Sequence, residues 1–199
     1  MKRGITLPFY VSEDDPPARR EILLAAMKLF TERGLSRTTI RDIADESGFT
    51  NPALYRHFKS KEALALYIFE TSYTRILQNL DQALALAPDG PEKLAAYVRR
   101  SVELFAEHPE SFLFINDQLR ELWPHVPKRM RNRTLVTQAY ELVSAVSGDT
   151  SPSQRADLAV AALLGTFSQW ARLMHFGELP GPPASWIPEL TRAAMRILG

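Results

Sequence analysis

The chain has 199 residues, 45% of them hydrophobic and 24% charged, with no cysteine and a formal net charge of +1. That composition fits an ordinary globular protein of one or two domains, and it excludes disulfides, thiolate catalysis and cysteine-ligated metal. With the total charge near zero, any affinity for a polyanion must be local: from Pro16 to Lys61 nine Lys and Arg stand against five Asp and Glu.

The first sixteen residues read as a flexible arm. Their apolar run, Ile5 to Val11, lacks the length and cleavage pattern of a signal peptide and ends in Glu13-Asp14-Asp15. Lys2 and Arg3 have the composition of a minor-groove tail, but the acids behind them favour disorder. Helical periodicity then takes over nearly everywhere, and strand alternation is scarce. A first helix over 17–33 places Ile22, Leu23, Ala26, Leu29 and Phe30 on one face, with Gly34 as a left-handed stop. Thr38 or Thr39 caps a second helix over 40–47, and Thr39 with Asp42 has capping-box spacing. Gly48 breaks it. Thr50 caps a third helix with Pro52 in its first turn, and Ser60 caps a long fourth that Pro88-Asp89-Gly90-Pro91 ends.

Proline punctuates the rest. Pro91 opens a helix with Leu94, Tyr97, Val98, Val102 and Phe105 inward; Pro109 opens another with Phe112, Ile115, Leu119 and Leu122 inward. After Pro124 and Pro127 the pattern predicts helices over about 128–146, 153–176 and 184–198. About nine helices in a chain of this length make an all-α protein. The apolar stretch Leu158 to Phe167 is too short to span a bilayer.

The most informative stretch is 38–61, TTIRDIADESGFTNPALYRHFKSK. It reads as two short helices joined by a tight turn. Ala44 is small enough for a crossing helix, Gly48 tolerates positive φ, and Ile40, Ile43, Phe49, Leu54 and Phe58 lock the pair against Leu29 and Phe30. The second helix of such a unit enters the DNA major groove with its N-terminal turn nearest the bases. Here that turn is Thr50-Asn51-Pro52-Ala53: Asn can pair bidentately with adenine, and a small apolar side chain can meet a thymine methyl. Tyr55, His57 and Lys61 carry donors suited to phosphates, and Thr39 and Arg41 sit at the start of the preceding helix, where amides favour anions. His57 fits a packed structural role equally well.

The segment 21–64 resembles the DNA-binding domain of the TetR (tetracycline repressor) family. The residues that carry the likeness are the amphipathic Ile22–Phe30 stretch, Gly34-Leu35, Thr38-Thr39-Ile40-Arg41-Asp42-Ile43-Ala44, Gly48-Phe49-Thr50, and Leu54-Tyr55-Arg56-His57-Phe58-Lys59-Ser60-Lys61-Glu62. The resemblance implies an N-terminal three-helix DNA-binding domain, 17–64, followed by a helical effector-binding and dimerisation domain, 65–199. It implies a homodimer joined through its last two helices, and an effector cavity in each C-terminal domain. Carried over by position, Thr39, Arg41, Thr50, Asn51, Ala53, Tyr55, His57 and Lys61 contact DNA. The Asn51-Pro52 pair departs from the Gly or Lys common there and leaves base specificity open.

In the remainder, Phe105, Phe112, Trp123, Tyr140, Phe167 and Trp170 are core by default, and a cavity would draw its walls from the same set, with Asn116 and Arg120 among the polar anchors. The helix after residue 157 is apolar nearly all round, with small residues Ala159, Ala162 and Gly165, and so needs burial on more than one side. With Trp186, Leu190, Ala194 and Ile197 of the last helix it suits an intersubunit four-helix bundle. Lys128, Arg129, Arg131 and Arg133 read as a solvated helix face. The four histidines show no metal-ligand spacing, and no phosphate loop or nucleophile elbow appears, so no enzyme, metal or cofactor is expected. The function these readings imply is a cytoplasmic, ligand-responsive regulator, a repressor released from a pseudo-palindromic double-stranded DNA operator by a small hydrophobic or amphipathic effector. The alternative is a helical dimeric interaction module that does not read sequence.

Overall fold

Capping side chains and prolines set where the helices begin. In the computed structural model, which describes residues 7–88, 90–148 and 153–198, nine α-helices and no strand occur among the described residues. They are α1 (Pro17–Arg33), α2 (Ile40–Ser47), α3 (Asn51–His57), α4 (Lys61–Leu86), α5 (Pro91–Glu107), α6 (Pro109–Leu122), α7 (Leu135–Ser147), α8 (Gln154–His175) and α9 (Ile187–Leu198). Hydroxyls of Thr39, Thr50, Thr134 and Ser153 accept from backbone N–H groups of the first turns of α2, α3, α7 and α8. Each satisfies one of the amides that a helix start leaves without a partner.

The chain divides into two compact units, residues 1–75 with 110–126, and residues 76–109 with 127–199. In the first, α1 packs on α2 and α2 on α3. Ile22, Leu23, Ala26, Leu29 and Phe30 are buried as the periodicity requires, and so are Ile43, Leu54 and Phe58, whereas Ile40 and Phe49 are only half-buried. In the second, α5 packs on α7 and α9, α7 on α8, and α8 on α9. Residues 61–75 of α4 belong to the first unit and 76–86 to the second.

Several expectations are corrected. The arm was expected to be flexible through residue 16, yet Phe9, Tyr10 and Val11 are buried, and Arg75 donates to the Pro8 and Val11 carbonyls at 3.2 and 2.7 Å. Three consecutive apolar side chains provide the burial, and one guanidinium satisfies the carbonyls that no regular element would. Lys2 and Arg3 lie outside the described residues.

The helix expected over 128–146 is two pieces, a 3-10 turn over Lys128–Arg131 and then α7. The break is made by Thr134, whose side chain forms a reciprocal capping box with Thr137. Lys128, Arg129 and Arg131 are exposed, whereas the half-buried Arg133 is engaged, pairing with Asp81 and Glu141. A 3-10 turn over Pro183–Trp186 likewise precedes α9. Gly34 has positive φ but an extended ψ (82°, 153°), so it stops α1 without being left-handed helical. Leu119 is 41% exposed rather than inward-facing.

Candidate nucleic-acid interface

The α2–α3 pair is built from local signals. Thr39 caps α2, and Asp42 reaches back to the Thr39 backbone N–H at 2.7 Å. Hydrogen bonds from the Thr39 hydroxyl and backbone hold the Asp42 carboxyl below its ordinary range. The Thr39 hydroxyl also donates to that carboxylate at 2.7 Å, so the group expected at phosphate is engaged within its own cap. Gly48 closes α2 in the left-handed region (φ 74°, ψ 17°), and an added Cβ would meet nothing within 4 Å. Glycine is needed there for its backbone alone.

α3 then starts at Asn51 with the Thr50 hydroxyl accepting from Ala53 N–H at 3.4 Å. Leu54 and Phe58 face inward and are fully or nearly buried, whereas Tyr55 is 53% exposed and Thr50, Asn51 and Arg56 are exposed beside it. Arg41 is exposed at the start of α2; Ala53, His57 and Lys61 are half-buried. The fold therefore sets Asn51, Tyr55 and Arg56 on the solvent side of a seven-residue helix whose other side is locked into the core. Arg56, left off the expected contacts, is as open as those on them.

Lys61 occupies the first position of α4, and its Nζ donates to the Leu35 carbonyl at 2.8 Å. Arg19 of α1 lies over two rings, with Cζ 4.6 Å from the centre of Phe58 and 4.3 Å from that of Tyr67. Its Nε stands 3.0 Å from the buried carboxylate of Asp15. On sequence alone Asp15 belongs to an acidic run that favours disorder and Arg19 has no assigned role; the apolar triple Phe9-Tyr10-Val11, buried here, was the signal that the segment before α1 is packed.

The eight expected effector-pocket residues divide between the units. Phe112, Asn116, Arg120 and Trp123 belong to the first, where Trp123 packs on Tyr73 at 5.3 Å between ring centres and Arg120 is exposed. Phe105, Tyr140, Phe167 and Trp170 belong to the second. Trp170 gathers Phe105 and Phe167, each 5.2 Å away between ring centres. Its buried indole N–H has no hydrogen-bond acceptor among the described residues. Tyr140 stands apart, 38% exposed, with its hydroxyl on Asp157 at 2.6 Å. Of the expected interface residues, Ala159, Leu190 and Ala194 are already buried within one chain, Ala162, Trp186 and Ile197 are half-buried, and Gly165 is exposed. Among the described residues no group of His, Asp or Glu forms a metal-binding cluster, and no helix is long and apolar enough to cross a membrane.

Residues 22–68 match the model of the bacterial regulatory proteins of the tetR family. The transcriptional activator FasR of Mycolicibacterium smegmatis is 29% identical over 133 residues, covering 65% of this chain and 60% of that protein. The transcriptional repressor KstR2 of the same organism is 33% identical over 108 residues, 54% of this chain and 53% of its own. The chain thus spans between half and three-fifths of the length of these relatives. Among solved structures, the ketosteroid transcriptional regulator KstR2 of Mycobacterium tuberculosis superposes with a TM-score of 0.76 at 20% identity, over 94% of this chain and 97% of that one. The fatty acid degradation regulator FadR of Bacillus halodurans gives 0.72 at 18% identity, over 92% and 97%. At such identities the likeness is one of fold.

Proposed function

We propose, from the match of residues 22–68, that the chain is a tetR-family ligand-responsive transcriptional regulator acting as a homodimeric repressor. The observation that carries the reading is the division of α3 into a locked face, Leu54 and Phe58, and an open one, Asn51 and Tyr55. Asn51 then reads an adenine edge, Ala53 meets a thymine methyl, and Tyr55, His57, Lys61, Arg41 and Thr50 hold phosphates. Two copies place their α3 helices in half-sites about 34–36 Å apart, or a multiple of that.

The partner surface in this reading is the part of α8 that one chain leaves open, Leu158, Ala161 and Gly165, together with the half-buried Ala162, Trp186 of the 3-10 turn before α9, and Ile197 of α9. Ala159, Leu190 and Ala194 act behind that surface. The effector is a largely apolar molecule with an oxygen acceptor, received by Phe105, Phe167 and Trp170; the relatives named for ketosteroid and fatty acid regulation support that class. Because α4 contributes to both units, a change in its second half is transmitted along one continuous helix. The effector shifts the equilibrium only by its unequal affinity for the two states, typically about 1–3 kcal/mol.

The test is selection of genomic DNA fragments on the purified protein, followed by fluorescence anisotropy of the enriched fragment and a scrambled control at two salt concentrations. The expected result is salt-sensitive binding at least about a thousandfold tighter to the selected fragment. Equal, weak binding to both would leave the interaction-module reading in its place.

A further inference from the structure

Beyond the recognition face itself, we propose that Arg19 is a positioning residue for α3, held in place by Asp15, so that the segment ahead of α1 forms part of the DNA-reading apparatus. The proposal rests on the reading of α3 as the recognition helix.

α3 has seven residues and ends at Phe58, whose backbone N–H closes the helix on the Leu54 carbonyl at 3.0 Å. A helix of two turns has little stability of its own, so its orientation is set by what grips its ends. The start is fixed through Gly48 and Thr50. The end is fixed through the Phe58 ring, which packs on Tyr67 of α4 at 5.7 Å between centres. The Arg19 guanidinium covers both rings within 5 Å and thereby joins α1, the end of α3 and the start of α4 through one side chain.

Asp15 decides where that guanidinium lies. Its carboxylate, 8% exposed, accepts from the Ser12 backbone N–H at 2.7 Å and the Tyr67 hydroxyl at 3.3 Å, and forms an ion pair with Arg19, whose Nε lies 3.0 Å away without being aligned for a hydrogen bond. Asp15 is in turn held by the packed segment before it, through Arg75 on the Pro8 and Val11 carbonyls and through Arg20 on the Asp15 carbonyl at 2.8 Å. Of the three acids before α1, Glu13 and Asp14 are exposed, and Asp15 alone is drawn inward to fix a neighbour. A planar guanidinium can cover two rings while its charge stays beside a carboxylate; an ammonium, a compact point charge, covers less of either ring.

The experiment is hydrogen exchange on the full-length protein, comparing Arg19→Ala, Arg19→Lys and Asp15→Asn with the parent. Arg19→Ala is expected to speed exchange over residues 51–58 about tenfold, with 22–30 and 64–73 unchanged. Arg19→Lys recovers part of that protection, and Asp15→Asn, which keeps an acceptor for Tyr67, falls between. Anisotropy on the selected fragment follows the same order, about tenfold weaker for Arg19→Ala, while affinity for scrambled DNA stays level. Unchanged exchange over 51–58, or a rise shared equally by all three segments, would overturn the proposal. A parent protein without sequence preference would instead remove the regulator reading, and the exchange result would still decide whether Arg19 holds α3.

Discussion

Lys61 Nζ donates to the Leu35 carbonyl at 2.8 Å across 26 positions of the chain, tying the start of α4 to the turn that follows α1. A lysine in the first turn of a helix opposes the helix dipole, so this contact gives the residue a structural reason to be there. One ammonium has three donors, and the carbonyl uses one. Lys61→Met keeps the aliphatic stem and removes the head. It should lower stability by about 1 kcal/mol, read from a urea midpoint. It should also flatten the dependence of log K on log salt by about one unit, if a phosphate takes a second donor. A stability loss with an unchanged slope would confine Lys61 to the scaffold.

Asn51 and Tyr55 are both open to solvent, but their chemistry separates their roles. An amide can match one base edge, whereas a phenol reaches a phosphate that every sequence offers. Asn51→Ala should weaken the selected fragment by about 1–3 kcal/mol while leaving scrambled DNA unaffected. Tyr55→Phe should weaken both by the same factor. Parallel losses in the two variants would refute the division.

The first three helices were legible because short-range signals decide them: Thr39 with Asp42, Gly48, Thr50 with Pro52, and an apolar face repeated through Phe30. What escaped reading depends on partners far along the chain. The Lys128 to Arg133 run contains good helix formers and no breaker, so periodicity carries a helix straight through it. The break comes from Thr134 and from Arg133 turning to Asp81, 52 residues away. Asp15 looked like one more solvated acid although Ser12 and Arg19 stand three and four residues from it, because the Tyr67 hydroxyl that joins them on its carboxylate comes from 52 residues away. Tyr140 and Leu119 were assigned inward on type and spacing, yet neither is buried in one chain.

Asp81 and Arg133 make the acid limb of stability predictable. Burial pushes the Asp81 carboxyl up, but hydrogen bonds from Arg133 and Gln138, together with the Arg133 charge, outweigh it and hold the group below its ordinary value of 3.8. A carboxylate depressed in the folded state stabilises the protein above its unfolded value, and that contribution is lost as pH falls below 3.8 through the folded value. Asp81→Asn should therefore lower the urea midpoint at neutral pH. The gap from the parent should close as both are titrated below pH 3.8. Gln138 donates to Asp81 at 2.7 Å and to the Leu77 carbonyl at 3.0 Å, and an asparagine oxygen can still accept, so the loss isolates the charge. A gap that stays constant with pH would show that Arg133 does not depend on Asp81.

Trp170 allows stability and response to be separated in one substitution. Its buried indole N–H lacks an acceptor among the described residues, and a buried donor left in that state costs about 1–3 kcal/mol. Phenylalanine removes the donor and keeps most of the contact with Phe105 and Phe167, at the expense of some packing volume. The two effects oppose each other, so Trp170→Phe should change the thermal midpoint little. If the donor is where an effector oxygen docks, the same variant should need about tenfold more ligand to release the selected DNA fragment, with oleic acid and androstenedione as the probes. Fluorescence supplies the independent check: with Trp123 and Trp186 replaced by Phe, a probe that accepts from the indole should shift emission to the red. A variant that folds, binds DNA and responds to either probe as the parent does would place the effector elsewhere in the second unit.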